Sequence, residues 1–206
     1  MKTVEPHYEG KAASASLYRA RMTTSETDAA WAAAKRRFLV PETGLLADFL
    51  GADGLAGLPT SDEVRRAFPD RHGYGTGQED CMIHAEAMLD ALASRAEAAE
   101  RGAAAPAPRA AADAATLVGG VARCCFAHGR PGFLARSVCR TEPSLCYPAT
   151  SRDQITMAVF GLWRLLRSPL AAAAPAAALP PPPHLILQLS HKNPGAFWMA
   201  PRGGRV

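Results

Sequence analysis

Three stretches in which apolar residues recur at intervals of three and four constrain this 206-residue chain most. Cys81, Ala85, Met88, Leu92 and Ala96 make one stripe between about Glu79 and Glu100. Leu117, Val121, Cys124 and Cys125 make a second between about Ala110 and Ala127. Ile155, Val159, Leu162 and Leu166 make a third between about Arg152 and Arg167. Such spacing lays one apolar face along an α-helix. The Ala/Pro-rich link Arg101–Arg109 is short, so the first two stretches predict an antiparallel αα-hairpin. Gly119-Gly120 weakens the second helix by about 1 kcal/mol per Gly relative to Ala, which points to a close helix–helix approach. Ser168-Pro169 ends the third helix. The predicted fold class is mostly α.

The remaining chain is read around these helices. Residues 1–22 are irregular. A helix begins near Thr24 or Ser25 and runs to about Arg37, with Ala29, Trp31, Ala33 and Phe38 on its apolar side. Pro41-Glu42-Thr43-Gly44 turns the chain. Leu45–Leu50 is a strand or an apolar plug, and Gly51–Gly57 is a Gly-rich loop. Thr60 and Glu63 form a capping-box pattern and start a short helix that ends before Pro69. His128–Thr150 is a long Gly- and Pro-containing loop, and loops of that length in compact domains are often functional. Residues 171–183 read AAAAPAAALPPPP. Such composition buries little apolar surface, so 171–206 is expected to be a disordered tail after a domain at 23–170.

Composition excludes several classes. Hydrophobic residues make up 48%, but many are Ala, so the core is thinner than that share implies. The net charge of +4 is small and scattered. Lys35-Arg36-Arg37 sits at a helix end, where cations are favoured anyway, and no basic block of nucleic-acid type exists. No apolar run reaches the length of about 18 residues that a membrane helix needs, and Met1–Pro6 lacks an apolar leader core. A soluble, cytoplasmic chain without a nucleic-acid or membrane partner is expected. Five cysteines at irregular spacing are expected to be free thiols, with Cys139 and Cys146 the pair a loop would bring closest. No His/Cys/Asp cluster has metal spacing, and no metal or cofactor is implied.

Two helix starts are rich in polar groups. Gly73-Tyr74-Gly75-Thr76-Gly77-Gln78-Glu79-Asp80 precedes the first stripe, and Ser151-Arg152-Asp153-Gln154 precedes the third. Thr76 with Glu79, and Ser151 with Gln154, both fit the capping box. Asp80 and Asp153 fall in the first turns, where the helix dipole favours an anion by about 0.3–1 kcal/mol. Capping alone therefore accounts for both, and acid/base work on a polar substrate is the sharper alternative. The glycines lack phosphate-loop spacing and no Lys follows them, so they read as tight turns beside a pocket. His84 lies one turn beyond Asp80.

Three blocks, GYGTGQEDCMIHAEAMLDAL, HGRPGFLARSV and SRDQITMAVFGLWRLLRSPL, resemble an uncharacterised group of bacterial and fungal proteins of the six-hairpin glycosidase type. The resemblance spans about residues 24–170. More loosely, Glu79-Asp80 and Arg152-Asp153-Gln154 are similar to segments of unsaturated glucuronyl hydrolases. The fold so implied is an (α/α) toroid of antiparallel helix pairs, of which this chain would supply about two of six, a partial toroid. The activity so implied is glycoside hydrolysis, with a lyase on the same fold as a close variant, and with Asp80 and Asp153 as the catalytic carboxyls at one end of two inner helices. One would protonate the substrate and the other activate water. Tyr74, His84, Arg136, Arg152 and Trp163 would bind an oligosaccharide. His84 and Glu86 stand where the similar sequences carry smaller or amide residues. A truncated toroid would be weakly active or inactive, and the alternative is a non-catalytic helical interaction module.

Overall fold

The computed structural model describes residues 24–104, 107, 109–130 and 132–173. They are mostly helical: α1 Thr24–Phe38, α2 Ser61–Arg65, α3 Cys81–Glu100, α4 Ala110–Phe126 and α5 Arg152–Leu166. Short 3-10 turns lie at Gly54–Gly57 and Ala171–Ala173. Strand structure among these residues is one antiparallel ribbon of β1 Leu39–Val40 and β2 Leu45–Leu46, with Leu39 opposite Leu46 and Val40 opposite Leu45. The stretch from Leu45 is thus strand for two residues and then a buried plug through Ala47. The expectations for residues 1–22 and for the tail beyond Ala173 lie outside the described residues.

The predicted hairpin is present. Cys81 at the start of α3 lies near Cys124 at the end of α4, while Leu92 and Arg95 share a cavity wall with Ala110 and Asp113, so the two helices are antiparallel. α5 runs parallel to α3. Its Gln154 reaches Asp80, its Gly161 reaches Glu86, and its Arg164 reaches Asp90 and Glu97, in matching order along both helices. Leu89, Met82, Leu117, Val118, Val121, Leu134 and Leu165 fill the space between the three helices.

The buried faces are rotated slightly from the predicted stripes. On α3 the core side is Cys81, Met82, Ala85, Glu86, Leu89, Leu92 and Ala93, with Met88 and Ala96 only half-buried. On α5 Leu165 is buried and Leu166 is exposed, because α5 packs chiefly against one neighbour, α3. On α1 the inward side is Asp28, Trp31, Ala32 and Lys35, whereas Ala29 and Ala33 face solvent. The Thr60–Glu63 capping box forms as expected. All five cysteines are free and buried. No helix among the described residues is long and apolar enough to cross a membrane.

Two glycines permit close approaches to α4 and α5. A Cβ on Gly120 would come within 2.8 Å of the Gly44 carbonyl oxygen, so the close approach there is to the β1–β2 turn rather than to a helix. A Cβ on Gly161 would come within 2.5 Å of Glu86 Cγ and 3.0 Å of its carbonyl oxygen. Gly161→Ala should therefore force α5 off α3 and cost about 1–3 kcal/mol. Gly119→Ala, with nothing nearer than an Arg123 nitrogen at 3.5 Å, should be neutral or gain up to about 1 kcal/mol. Urea unfolding of the two variants reads this directly, and equal effects would refute the packing argument.

Candidate functional site

Because α3 and α5 are parallel, their N-terminal ends share one side of the molecule. The chain enters α3 through Gly73, Gly75 and Gly77, whose φ angles are +72°, +75° and +76°. At Gly77 a side chain is excluded twice, since a Cβ would also lie 2.4 Å from the Phe49 carbonyl oxygen. That contact, with the Asp48 N–H donating to the Gly77 carbonyl at 2.9 Å, docks the loop on the segment after β2. Asp48 is thereby set beneath the start of α3. Its Oδ2 accepts the Asp80 N–H at 2.6 Å, and its Oδ1 stands 3.6 Å from His84 Nε2. Burial raises the Asp48 carboxyl to about 7, with the charges of Glu79 and Asp80 adding to the rise and the Asp80 N–H opposing it.

The other flank comes from the long loop and from α5. Arg136 is buried, and its Nη2 donates to Asp80 Oδ1 at 2.9 Å while its Nε donates to the Glu79 carbonyl at 2.5 Å. Gln154 Nε2 donates to the same Asp80 oxygen at 2.7 Å and to the Glu79 carbonyl at 3.1 Å. The Met82 N–H donates back to the Arg136 carbonyl at 3.2 Å. The Arg136 guanidinium also lies over the Tyr74 ring, 5.1 Å from its centroid, and His72 stacks on the same ring at 5.0 Å. Tyr74 keeps 52% of its surface exposed even so, beside Asp80.

Neither predicted capping box at these starts forms. Glu79 instead accepts the N–H groups of Gly75 and Gly77 at 3.1 and 3.0 Å, so its carboxylate ties the glycine loop together. Thr76 donates its hydroxyl to the Gly73 carbonyl. Asp80 is the residue before α3, and its side chain pairs across to Arg136 rather than capping. Ser151 makes no cap bond to α5, because Gln154 is drawn towards Asp80. Only Gln154 exchanges its local partner for distant ones: its Nε2 serves Asp80 and the Glu79 carbonyl, while its Oε1 stays buried without a partner.

The remaining candidates are dispersed. Asp153 is exposed beside this network, and the Ser151 hydroxyl holds its carboxyl below the usual range, with the Gln154 N–H and the nearby Arg136 charge acting in the same direction. His84 is half-exposed against Asp48. Arg152 opens α5 and faces solvent. Trp163 lies ten residues beyond Asp153, about 15 Å along the helix. It faces solvent against Phe160 and Arg167, away from the network. Arg136 is enclosed behind Asp80 and Tyr74, so it braces the site rather than lining its surface. Asp48 and Gln154 were missed. The one available signal for Asp48 was an acid interrupting an otherwise apolar Leu45–Leu50 run.

Among the described residues no three His, Cys, Asp or Glu side chains gather to hold a metal ion. No protein-family model, curated protein or solved structure matches the chain. The arrangement has the parts of a polar-ligand site: a fixed carboxylate with a free oxygen, a half-exposed aromatic ring, and the raised carboxyl of Asp48 hydrogen-bonded to the Asp80 N–H.

Proposed function

We propose that the shared N-terminal end of α3 and α5 is a saccharide site of the glycosidase type, set in a partial (α/α) toroid. The observation that carries the reading is Asp80, oriented by Arg136 and Gln154 beside the half-exposed ring of Tyr74. A carboxylate oriented in this way accepts hydrogen bonds from sugar hydroxyls, and the exposed part of a Tyr side chain adds apolar contact and a hydroxyl. Parallel α3 and α5, joined through antiparallel α4, are also the arrangement that alternating hairpins of a toroid require.

Hydrolysis needs one carboxyl that keeps its proton and one that is ionised. Asp153, held low, fits the ionised role, while Asp48, raised to about 7, fits the proton-holding role. The Asp48 side chain is only 9% exposed and its Oδ1 has no hydrogen-bond partner, so its proton has only an indirect route to a substrate, past His84 at 3.6 Å. That indirect route favours slow turnover, and it favours as a second reading a site that binds sugar without cleaving it.

Saturation-transfer NMR against a panel of neutral and uronate-containing oligosaccharides, with reducing-end release measured in parallel, tests both. At least one sugar should bind, Tyr74→Ala should weaken it about tenfold, or about 1.4 kcal/mol, and Asp80→Asn should abolish any turnover with the fold intact. Turnover, if present, should fall as pH rises through about 7, and Asp48→Asn, which carries no proton to give, should remove it at every pH. Binding without turnover selects the second reading. No sugar binding, or binding indifferent to both Tyr74→Ala and Asp80→Asn, refutes the site.

A further inference from the structure

α1 has no fully buried residue. Polar clamps hold it to the hairpin instead. Trp31 Nε1 and Lys35 Nζ both donate to Asp113 Oδ2, at 2.7 and 2.6 Å, and Arg95 donates to Asp28 at 3.4 Å. These clamps stand α1 off the hairpin and leave a cavity of about 300 Å³ between α1, the C-terminal half of α3 and the start of α4. Its wall is apolar, made by Trp31, Ala32, Met88, Ala91, Leu92 and Ala110. The charged groups stand around it: Lys35, Arg95 and Arg109 against Asp28 and Asp113. Both aspartates are engaged by the clamps. Arg109 is exposed and has no carboxylate partner among the described residues, so the surround carries one surplus cation.

We propose that this cavity binds a monoanionic amphiphile, an acyl-chain carboxylate whose chain fills the apolar interior and whose head group meets Arg109. The volume is at the lower end of the range for small-ligand sites, about 300–1,000 Å³. An apolar wall open to water gains by exchanging that water for hydrocarbon. The charge surplus selects an anion over a cation, and the Asp28 and Asp113 carboxylates repel a second negative charge. The site is remote from Asp80 and does not rest on the saccharide reading.

Calorimetric titration of the full chain with dodecanoate, and separately with dodecyltrimethylammonium, both below micelle-forming concentration, tests it. One dodecanoate per chain should bind, at least tenfold more tightly than the cation. Ala91→Phe, at an exposed α3 position on the cavity wall, should weaken dodecanoate at least tenfold by filling the space. Arg109→Glu, a surface change that leaves the apolar wall intact, should erase the preference for the anion. Tyr74→Ala should change neither. Absence of saturable dodecanoate binding, equal binding of the two amphiphiles, or full affinity in Ala91→Phe would overturn the proposal.

Discussion

Glu86→Gln should flatten the pH dependence of stability by about half and stabilise the protein on the alkaline side. Glu86 is completely enclosed between α3 and α5. One oxygen accepts the Gly161 N–H at 2.6 Å and the other has no partner. Burial raises its carboxyl from 4.5 to about 8, with the Gly161 N–H opposing and the Asp90 charge adding. The unfolded chain releases this proton near pH 4.5, while the folded chain keeps it to about pH 8. Stability from this group is therefore complete below pH 4.5 and is lost progressively as pH rises to about 8. At about 1.4 kcal/mol per unit, roughly 3 kcal/mol is gone by neutral pH. Gln carries no titrating proton and preserves the acceptor for Gly161. Asp48, raised from 3.8 to about 7, has the same sign and supplies the slope that remains. Urea midpoints of both proteins between pH 4.5 and pH 8 measure this, and parallel curves would show that Glu86 does not titrate in that window.

Arg136→Met should cost about 3 kcal/mol. The guanidinium is buried and joins Asp80, the Glu79 carbonyl and the Tyr74 ring. Removing one member of a buried charge pair costs about 3–5 kcal/mol when its partner stays enclosed. The Asp80 side chain is 41% exposed and regains water, which places the loss at the lower end. Arg136→Lys should recover less than half, because one ammonium cannot serve the two directions that Nε and Nη2 occupy. Denaturant unfolding gives the loss. Full recovery by Lys would mean that charge alone, not the planar fork, is required.

Much of the helical framework was legible along the chain. The three long helices, their antiparallel link and the Thr60–Glu63 box follow from spacing within a few residues, and each formed close to its expected bounds. The finer rotation of each face was not legible. Leu165 and Leu166 are equally apolar neighbours on α5, and only the position of α3 decides that the first is buried. The same is true of α1, where Trp31 and Lys35 turn inward because Asp113 waits on α4.

The candidate site shows the division most clearly. Glycines, helix starts and an acid at each were visible, and so was the sense of α3 and α5 once a hairpin lay between them. Which groups meet was not. Asp80 joins Asp48, Arg136 and Gln154 across 32, 56 and 74 residues of chain. Local rules offered each of Glu79 and Gln154 a satisfactory partner three residues away. Glu79 takes other local partners, the N–H groups of Gly75 and Gly77, whereas Gln154 turns to a carboxylate, and hydrogen bonds to charged groups contribute more than neutral ones. The sequence alone determined helices, their ends and their order, because periodicity and chain stiffness act within a few residues. The tertiary structure decided that Gln154 leaves its local cap for Asp80 and the Glu79 carbonyl, 74 and 75 residues away, because only packing brings those acceptors within its reach.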